Sequence, residues 1–423
     1  MGQAVGARTR VRAGALVMVT ASSPQPYQGV RYHLQPARVA AQRLWPARAQ
    51  ALGLGALKLE SLAPPLLPAG GNWVELLPVW SGICGSDVGI ITGTASAYLA
   101  PVTAFPAVLG HEIAARRADT QEAVVVDPSL GCHARGLPPC RACEAGVFDG
   151  CERHADAALG RGLLLGYHGR LPGGWATRMW APAAQLHSIP AALPLRRAVL
   201  AEPLAIVLAG LARAEASLGG TVLVLGAGTL GLLATWALAS GGAREVIVQA
   251  RHPHQGDLAL LVGAHRVVHG SHEERAAMAG APLGRPLLGA PPLHPWGVDA
   301  VVDTVGSRHT LAEALAITRP GGSVLVLGAA SRPPADLAPV WTRSLRVLGT
   351  YGYHAAGQNH LPAAIRGLAA APVLDALITH AHPLEQYREA LPTPALHRAG
   401  AIKSVFAIAP EARALLRSGG PLR

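Results

Sequence analysis

Lysine is almost missing from this 423-residue chain: Lys58 and Lys403 are the two present, and nearly all of the base is arginine. The formal charge of +11 would suit a nucleic-acid partner. No Arg/Lys run is interleaved with aromatics, however. Scarce lysine beside abundant Ala, Gly, Pro and Arg resembles a coding bias. The charge therefore argues against a nucleic-acid partner, although an anionic cofactor would benefit from the field. Cysteine is also scarce, with five residues. An odd, clustered set excludes a disulfide framework and fits a reducing, cytoplasmic compartment. The stretch Ala216–Ser240 has no charge at all, but Gly219, Gly220, Gly226, Gly228 and Gly231 break it into turn, strand, turn and helix. That excludes a membrane span. Residues 1–45 lack clear periodicity. Arg8, Arg10 and Arg12 before a short apolar run imitate a signal peptide weakly. A poorly ordered extension is expected there, or a start placed too early, with Met18 as the true one. No internal repeat is evident.

What is present starts with the arrangement of the thiols. Cys84 stands alone in Gly82-Ile83-Cys84-Gly85-Ser86-Asp87. The others form Cys132-x7-Cys140-x2-Cys143-x7-Cys151. Four thiolates can close a tetrahedral shell around a structural Zn²⁺, whereas a lone Cys needs His or carboxylate partners and leaves room for chemistry. The bland alternative is five cysteines packed as small hydrophobes. For Cys84 the partners on offer are His111 and Glu112 in Leu109-Gly110-His111-Glu112, then Glu202 in Ala201-Glu202-Pro203-Leu204.

The chain is too long for one ordinary core, so two domains are expected. From Trp73 the pattern is β-rich, with Trp73–Leu77 and Ala123–Val126 as short strands. From Pro194 to Leu211 it turns helical. Strands at Thr221–Leu225, Glu245–Gln249, Asp299–Asp303 and Ser323–Leu327 then alternate with helices at Leu230–Ser240 and Asp257–Val262. That alternation means a doubly wound α/β parallel sheet covered on both faces. The Pro- and Gly-rich stretch His272–His294 reads as loop.

Gly226-Ala227-Gly228-Thr229-Leu230-Gly231 follows a strand and opens a helix. In that context it is a dinucleotide-binding turn, with the pyrophosphate at Gly228, Thr229 and Leu230 against the helix N-terminus. An NAD-binding chain places Asp or Glu about 20 residues further on. Here Ala250 is followed by Arg251, with His252 and His254 close behind. A carboxylate would repel a 2′-phosphate, and an Arg can bind one. NADP is expected over NAD.

Taken in this order, Gly-Ile-Cys-Gly-Ser-Asp, Gly-His-Glu, the four-Cys lobe, Glu-Pro and the glycine turn resemble the zinc-containing medium-chain dehydrogenase/reductase family. The likeness is greatest to the branch with sorbitol and threonine dehydrogenases. Gly173-Gly174-Trp175-Ala176, Asp303-Thr304-Val305-Gly306, Arg319-Pro320-Gly321-Gly322 and Gly400-Ala401-Ile402-Lys403 extend it. The resemblance runs from about Trp73 to the end. It implies a GroES-like β-rich catalytic domain (46–205 and 352–423) around a Rossmann-fold coenzyme domain (206–351). It implies Cys84 and His111 as zinc ligands, Glu112 and Glu202 as ligands or close neighbours, and Asp87 orienting His111. Cys132, Cys140, Cys143 and Cys151 would hold the structural zinc. Ser86 would hydrogen-bond the substrate oxygen, and Val305 and Lys403 would line the coenzyme site. Dimers or tetramers are implied as well.

Two positions depart from the pattern. The histidine that many members carry three residues after the serine is Gly89 here. Seven residues, with His133 as a spare ligand, separate Cys132 from Cys140 where two are usual. The expected activity is NADP-preferring, zinc-dependent hydride transfer between an alcohol or polyol and its carbonyl. A carbonyl reductase of specialised metabolism, or a non-catalytic nucleotide-binding protein on the same fold, are the alternatives. Thr92–Pro106, with Tyr98, could wall the substrate cleft or form a surface loop.

Overall fold

A computed structural model describes residues 16–17, 25–34, 37, 40–41, 44–45, 55–68, 71–155, 159–214, 219–280, 291–328, 336–355, 357–391 and 399–417. The expectation for Met18 lies outside these residues, and of the signal-like run only Leu16–Val17 is described, as a short strand paired with Leu67–Pro68. The expected N-terminal extension is shorter than 45 residues, because Tyr27–Tyr32 is a strand between Leu57–Leu62 and Ala107–Val108. Its tyrosines are buried on the core side. The pairing partners lie 25 and more positions further along, so the run itself gave no local sign of being a strand.

The β-rich part is a seven-stranded sheet built on Trp73–Gly82. That strand pairs antiparallel with Ile113–Arg117 on one side and Lys403–Ala407 on the other. Its first half also pairs with Met179–Pro182. The register slips between Pro78 and Trp80, where proline has no N–H to give the ladder. Strand Ile378–Pro383 completes the edge beside Lys403–Ala407. The C-terminal segment thus lies within the same sheet as the N-terminal half.

The second sheet has six parallel strands. In chain order they are Thr221–Leu225, Glu245–Gln249, Arg266–Val268, Val298–Asp303, Thr318–Val326 and Arg346–Gly349. Across the sheet they run third, second, first, fourth, fifth, sixth, the dinucleotide-binding order. Side chains on a strand point alternately to opposite faces, and here the alternation divides two cores. Val222, Val224, Val246, Val248, Ala300 and Val302 fall in one cluster. Leu223, Leu225, Ile247, Val301 and Val324 fall in the other.

Two local expectations change. Helix Pro253–Leu261 starts earlier than the apolar pattern suggested, because Pro253 occupies the first turn, where its missing N–H costs nothing. The stretch from His272 is helix to Ala279, not loop. Ser271 accepts the Glu274 N–H at 3.1 Å while the Glu274 carboxylate accepts the Ser271 N–H at 2.8 Å. That reciprocal cap starts a helix without an apolar stripe to announce it. Residues 281–290, also expected as loop, lie outside the described set.

At the glycine turn each glycine has a separate reason. Gly226 has φ +95° and faces Val305 and Thr304. Gly228 caps the helix Thr229–Ser240 with open space around its Cα. A Cβ on Gly231 would overlap the Gly226 carbonyl. Gly231→Ala should therefore cost about 1–3 kcal/mol, as overpacking does. Gly219→Ala, with nothing within 4 Å, should stay within about 0.5 kcal/mol of wild type. Paired denaturant melts check this, and equal values would contradict it.

Burial, aided by Arg135 and Arg170, holds His168 neutral, with its pKa lowered to about 3. Its Nδ1 accepts the Arg170 and Leu171 N–H groups at 3.1 and 3.2 Å. A depressed imidazole contributes stability that is complete above its unfolded pKa, about 6.5. That stability is lost as pH falls from there toward 3, by up to about 1.4 kcal/mol per pH unit. His168→Gln should flatten this acid limb in urea melts between pH 6.5 and 4. An unchanged slope would refute the assignment.

Candidate active site

The strap Gly82–Cys84 is placed by backbone bonds from four directions. Gly82 N–H donates to Glu112 O at 2.9 Å, and Ile83 N–H to Ser404 O at 3.0 Å. The Trp175 indole donates to Gly82 O at 2.9 Å. Lys403 Nζ donates to Ile83 O at 3.1 Å. Cys84 then caps the short helix Gly85–Ile91. A side chain on Gly82 would run into the Glu112 carboxylate and approach Lys403 Cε, so glycine is required where those two side chains meet.

Cys84, His111 and Glu112 are brought together, with one potential ligand atom from each within 4.8 Å of the others. Glu202, at the start of helix Ala201–Ala214, stands outside that group. It is close enough to exchange charge effects with His111, Glu112, Lys403 and Asp87, but burial dominates and raises its pKa to about 7. Asp87 is the buried hub. Its Oδ2 accepts the Cys84 N–H at 3.0 Å, and its Oδ1 lies 3.5 Å from His111 Nδ1. That leaves Nε2 as the imidazole nitrogen that can serve as a ligand. Burial opposes charge on His111, but Asp87 and Cys84 outweigh it and the net direction is upward.

Lys403, expected at the coenzyme, is buried at 2% exposure, and its ammonium pairs with the Glu112 carboxylate. Burial alone would lower its pKa, yet Glu112 and Cys84 hold it raised. Tyr98, by contrast, is 93% exposed on the 3₁₀ turn Ala97–Val102. It points to solvent rather than into a cleft.

The four-Cys lobe assembles despite its seven-residue gap. Cys132–Arg135 forms one 3₁₀ turn closed by Gly136 at φ +62°, and Leu137 N–H returns to Cys132 O at 3.1 Å. Buried Arg135 donates to the carbonyls of Gly160 and Gly162 and pins the loop opposite. The four sulfurs all lie within 4.8 Å of one another, with Cys132 and Cys151 3.6 Å apart. Tetrahedral sulfurs around zinc, at about 2.3 Å each, would be about 3.8 Å apart. His133 is not needed; its ring packs 4.7 Å from Phe148. Burial raises the thiols of Cys143 and Cys151, and Cys151 reaches about 11. Backbone N–H groups overcome burial at Cys140 and hold it near 6. Crowded buried thiols with one held as thiolate are what a divalent cation would relieve.

The glycine turn lies beside the segment that leads into strand Lys403–Ala407, since Thr229 Oγ1 donates to Ile402 O at 3.0 Å. Gly226, Gly228, Leu230 and Gly231 complete the turn, and Val305 beside it is 48% exposed. At the end of the next strand Ala250 is buried and Arg251 exposed. Gln255 Oε1 accepts the N–H groups of both Arg251 and His252 at 3.2 Å. The rings of His252 and His254 stack with centroids 5.5 Å apart.

Sequence reasoning did not single out Tyr167. Its hydroxyl lies 2.9 Å from Ser86 Oγ and 3.0 Å from Asp87 Oδ1, and its ring is 5.2 Å from that of His111. The signal lay in its neighbour: Gly166 has φ +87°, and a Cβ there would be 2.7 Å from Gly110 O. Only glycine allows that approach, and it carries Tyr167 to His111.

Comparison with known proteins gives this geometry a context. Residues 70–191 match the alcohol dehydrogenase GroES-like domain, and residues 229–370 match the zinc-binding dehydrogenase domain. The sorbitol dehydrogenase of Bombyx mori is 29% identical over 323 residues, which cover 73% of this chain and 84% of that protein. Two solved structures share the fold. One is an E. coli alcohol dehydrogenase complexed with NADH, at TM-score 0.68 and 22% identity, covering 90% of this chain and 99% of that one. The other is a putative zinc-binding dehydrogenase of Sinorhizobium meliloti bound to NADP, at TM-score 0.67, 23% identity and the same coverage. Two domain matches, on a fold with Cys84, the four-Cys lobe and the glycine turn in place, identify it: this chain belongs to the zinc-containing medium-chain dehydrogenase/reductase family and is an alcohol dehydrogenase of the zinc-binding type.

Proposed function

We propose that Cys84 and His111 hold the catalytic zinc, with Glu112 and Glu202 as alternative or exchanging carboxylates, and that Cys132, Cys140, Cys143 and Cys151 hold a structural one. The convergence of Cys84, His111 and Glu112 on one buried point carries this reading. Thiolate, imidazole and carboxylate suit Zn²⁺. Zinc there would act as a Lewis acid and stabilise negative charge on the substrate oxygen. Asp87 fixes the His111 tautomer. Ser86 Oγ hydrogen-bonds the substrate oxygen. Lys403 pairs with Glu112 and holds it in place. The coenzyme, when bound, carries the hydride.

The substrate is a polyol or other secondary alcohol, and the relation to a sorbitol dehydrogenase supports this class. For the coenzyme we infer NADP. Arg251, with His252 and His254 alongside, offers cations where a 2′-phosphate would fall, and Ala250 offers no carboxylate to repel it. Strand Arg346–Gly349 is the last of its sheet among the described residues, and Val347 there is 45% exposed, with Trp341 at 74%. Exposed apolar side chains at a sheet edge invite association, which supports a homodimer or homotetramer.

Metal analysis tests the two sites. Purified protein should hold about two Zn per chain. Cys84→Ser should lose one and fall to background turnover in a panel of polyols, secondary alcohols and their carbonyls. Asp87→Asn should lower zinc affinity or activity about 10- to 100-fold. Two zinc ions and full turnover in Cys84→Ser would overturn the assignment.

Coenzyme choice is tested separately. A charge-assisted hydrogen bond contributes about 1.5–3 kcal/mol, or roughly 10- to 150-fold. Arg251→Ala should lower kcat/KM for NADP by that factor and leave NAD within about threefold. Equal losses for both coenzymes would refute phosphate recognition by Arg251.

A further inference from the structure

The proton side of the site has a vacancy at Gly89, three residues beyond Ser86, and nothing bulky replaces it: the nearest atoms to a Cβ there are 3.7 Å away, in Thr94 and Ala95. Ser86 is instead met from the opposite direction by Tyr167. The tyrosine is 6% exposed. Its backbone is held by Tyr167 N–H to Leu164 O at 3.1 Å and by Ala104 N–H to Tyr167 O at 2.9 Å. Its hydroxyl touches two oxygens, Ser86 Oγ at 2.9 Å and Asp87 Oδ1 at 3.0 Å.

The phenolic hydrogen is shared between two acceptors, Ser86 Oγ and Asp87 Oδ1. Asp87 as a carboxylate accepts only, and a hydrogen bond to a charged acceptor is the stronger, so Asp87 anchors the phenol. With its oxygen engaged by Tyr167, Ser86 keeps its own hydrogen to turn toward the site.

Building on the role given above to Ser86, we infer that Tyr167 is a positioning residue. It fixes the Ser86 hydroxyl as a donor toward the substrate, and it supplies from a distant loop the orientation that a histidine at position 89 would otherwise give. The ligand that fits is one with an oxygen lone pair to offer, a hydroxyl or carbonyl oxygen. Tyr167 itself does not touch the substrate in this arrangement.

A double-mutant cycle tests the inference, using the best-turned-over alcohol of the panel above, with sorbitol as the first probe. Tyr167→Phe keeps the ring and removes the hydroxyl. It should lower kcat/KM about tenfold at unchanged zinc content and melting temperature. Binding of the same alcohol to the NADPH complex, read by coenzyme fluorescence, should weaken to a similar extent. In a Ser86→Ala background the same change should have less than about a twofold effect, because coupled residues are not additive. A merely structural role would lower the melting temperature and act equally in both backgrounds, and that result overturns the inference. Wild-type activity in Tyr167→Phe, with Ser86→Ala impaired, also overturns it and leaves the role of Ser86 intact. Full activity in Ser86→Ala removes the role of Ser86 and the inference with it. Should Tyr167→Phe lose zinc, Tyr167→His, which retains a ring N–H, carries the same cycle.

Discussion

The buried pair between Glu112 and Lys403 is the constraint around which the catalytic half is built. Lys403 also reaches Ile83 O, 320 positions away in sequence, so one ammonium group joins the Gly82–Cys84 strap, the Gly110–Ile113 segment and the C-terminal strand. Removing two charges from water is costly, and such a pair gives little net stability. Breaking it would leave an uncompensated charge in the core, which is far worse. The arrangement is therefore more a specification of register than a source of stability. Only one alignment of strand Lys403–Ala407 beside Trp73–Gly82 puts the ammonium opposite the carboxylate. Gly82 is the sequence concession that makes room for it.

Much of this was legible in the sequence where the physics is local. The glycine turn follows its strand and opens its helix within six residues, and each glycine has a steric reason that spacing alone suggests. Cys140-x2-Cys143 is likewise a local signature. The alternating strands from Thr221 onward predicted a parallel sheet, and the two faces of that sheet divide as the two-residue period requires. What was not legible depends on partners far along the chain. Lys403 was expected at the coenzyme from the resemblance alone, and nothing local in the sequence announced its buried pairing with Glu112. Strand Tyr27–Tyr32 lacked periodicity because its two neighbours bury it unevenly. Tyr167 carried no motif, and its importance arises from a close approach of Gly166 to Gly110 that no spacing rule encodes.

The same distinction explains the four-Cys lobe. A gap of seven residues departs from the usual two and needs a loop to bring Cys132 back, but the count of residues matters less than where the chain ends return. One 3₁₀ turn, one left-handed glycine and a bond from Leu137 N–H back to Cys132 O cancel most of the extra length. Arg135 gives the added loop something to do, since it satisfies carbonyls of the facing loop that would otherwise be buried without donors.

Charge balance connects the two halves of the catalytic site. Asp87, Glu112 and Glu202, together with a thiolate at Cys84, would place four negative groups around His111 and Lys403. Lys403 is committed to Glu112 and His111 faces Asp87, so Glu202 and Cys84 are left without a cation of their own. The upward shift at Glu202 comes first from burial; His111 and Lys403 oppose it, and Glu112 and Asp87 reinforce it. A dication at the point where Cys84, His111 and Glu112 converge would restore the balance. It would lower the effective pKa of Glu202 and allow that carboxylate to approach or withdraw as a substrate oxygen enters. The protein thus keeps its site electrostatically underfilled by design of its side chains, and the affinity for metal follows from that deficit rather than from any single ligand.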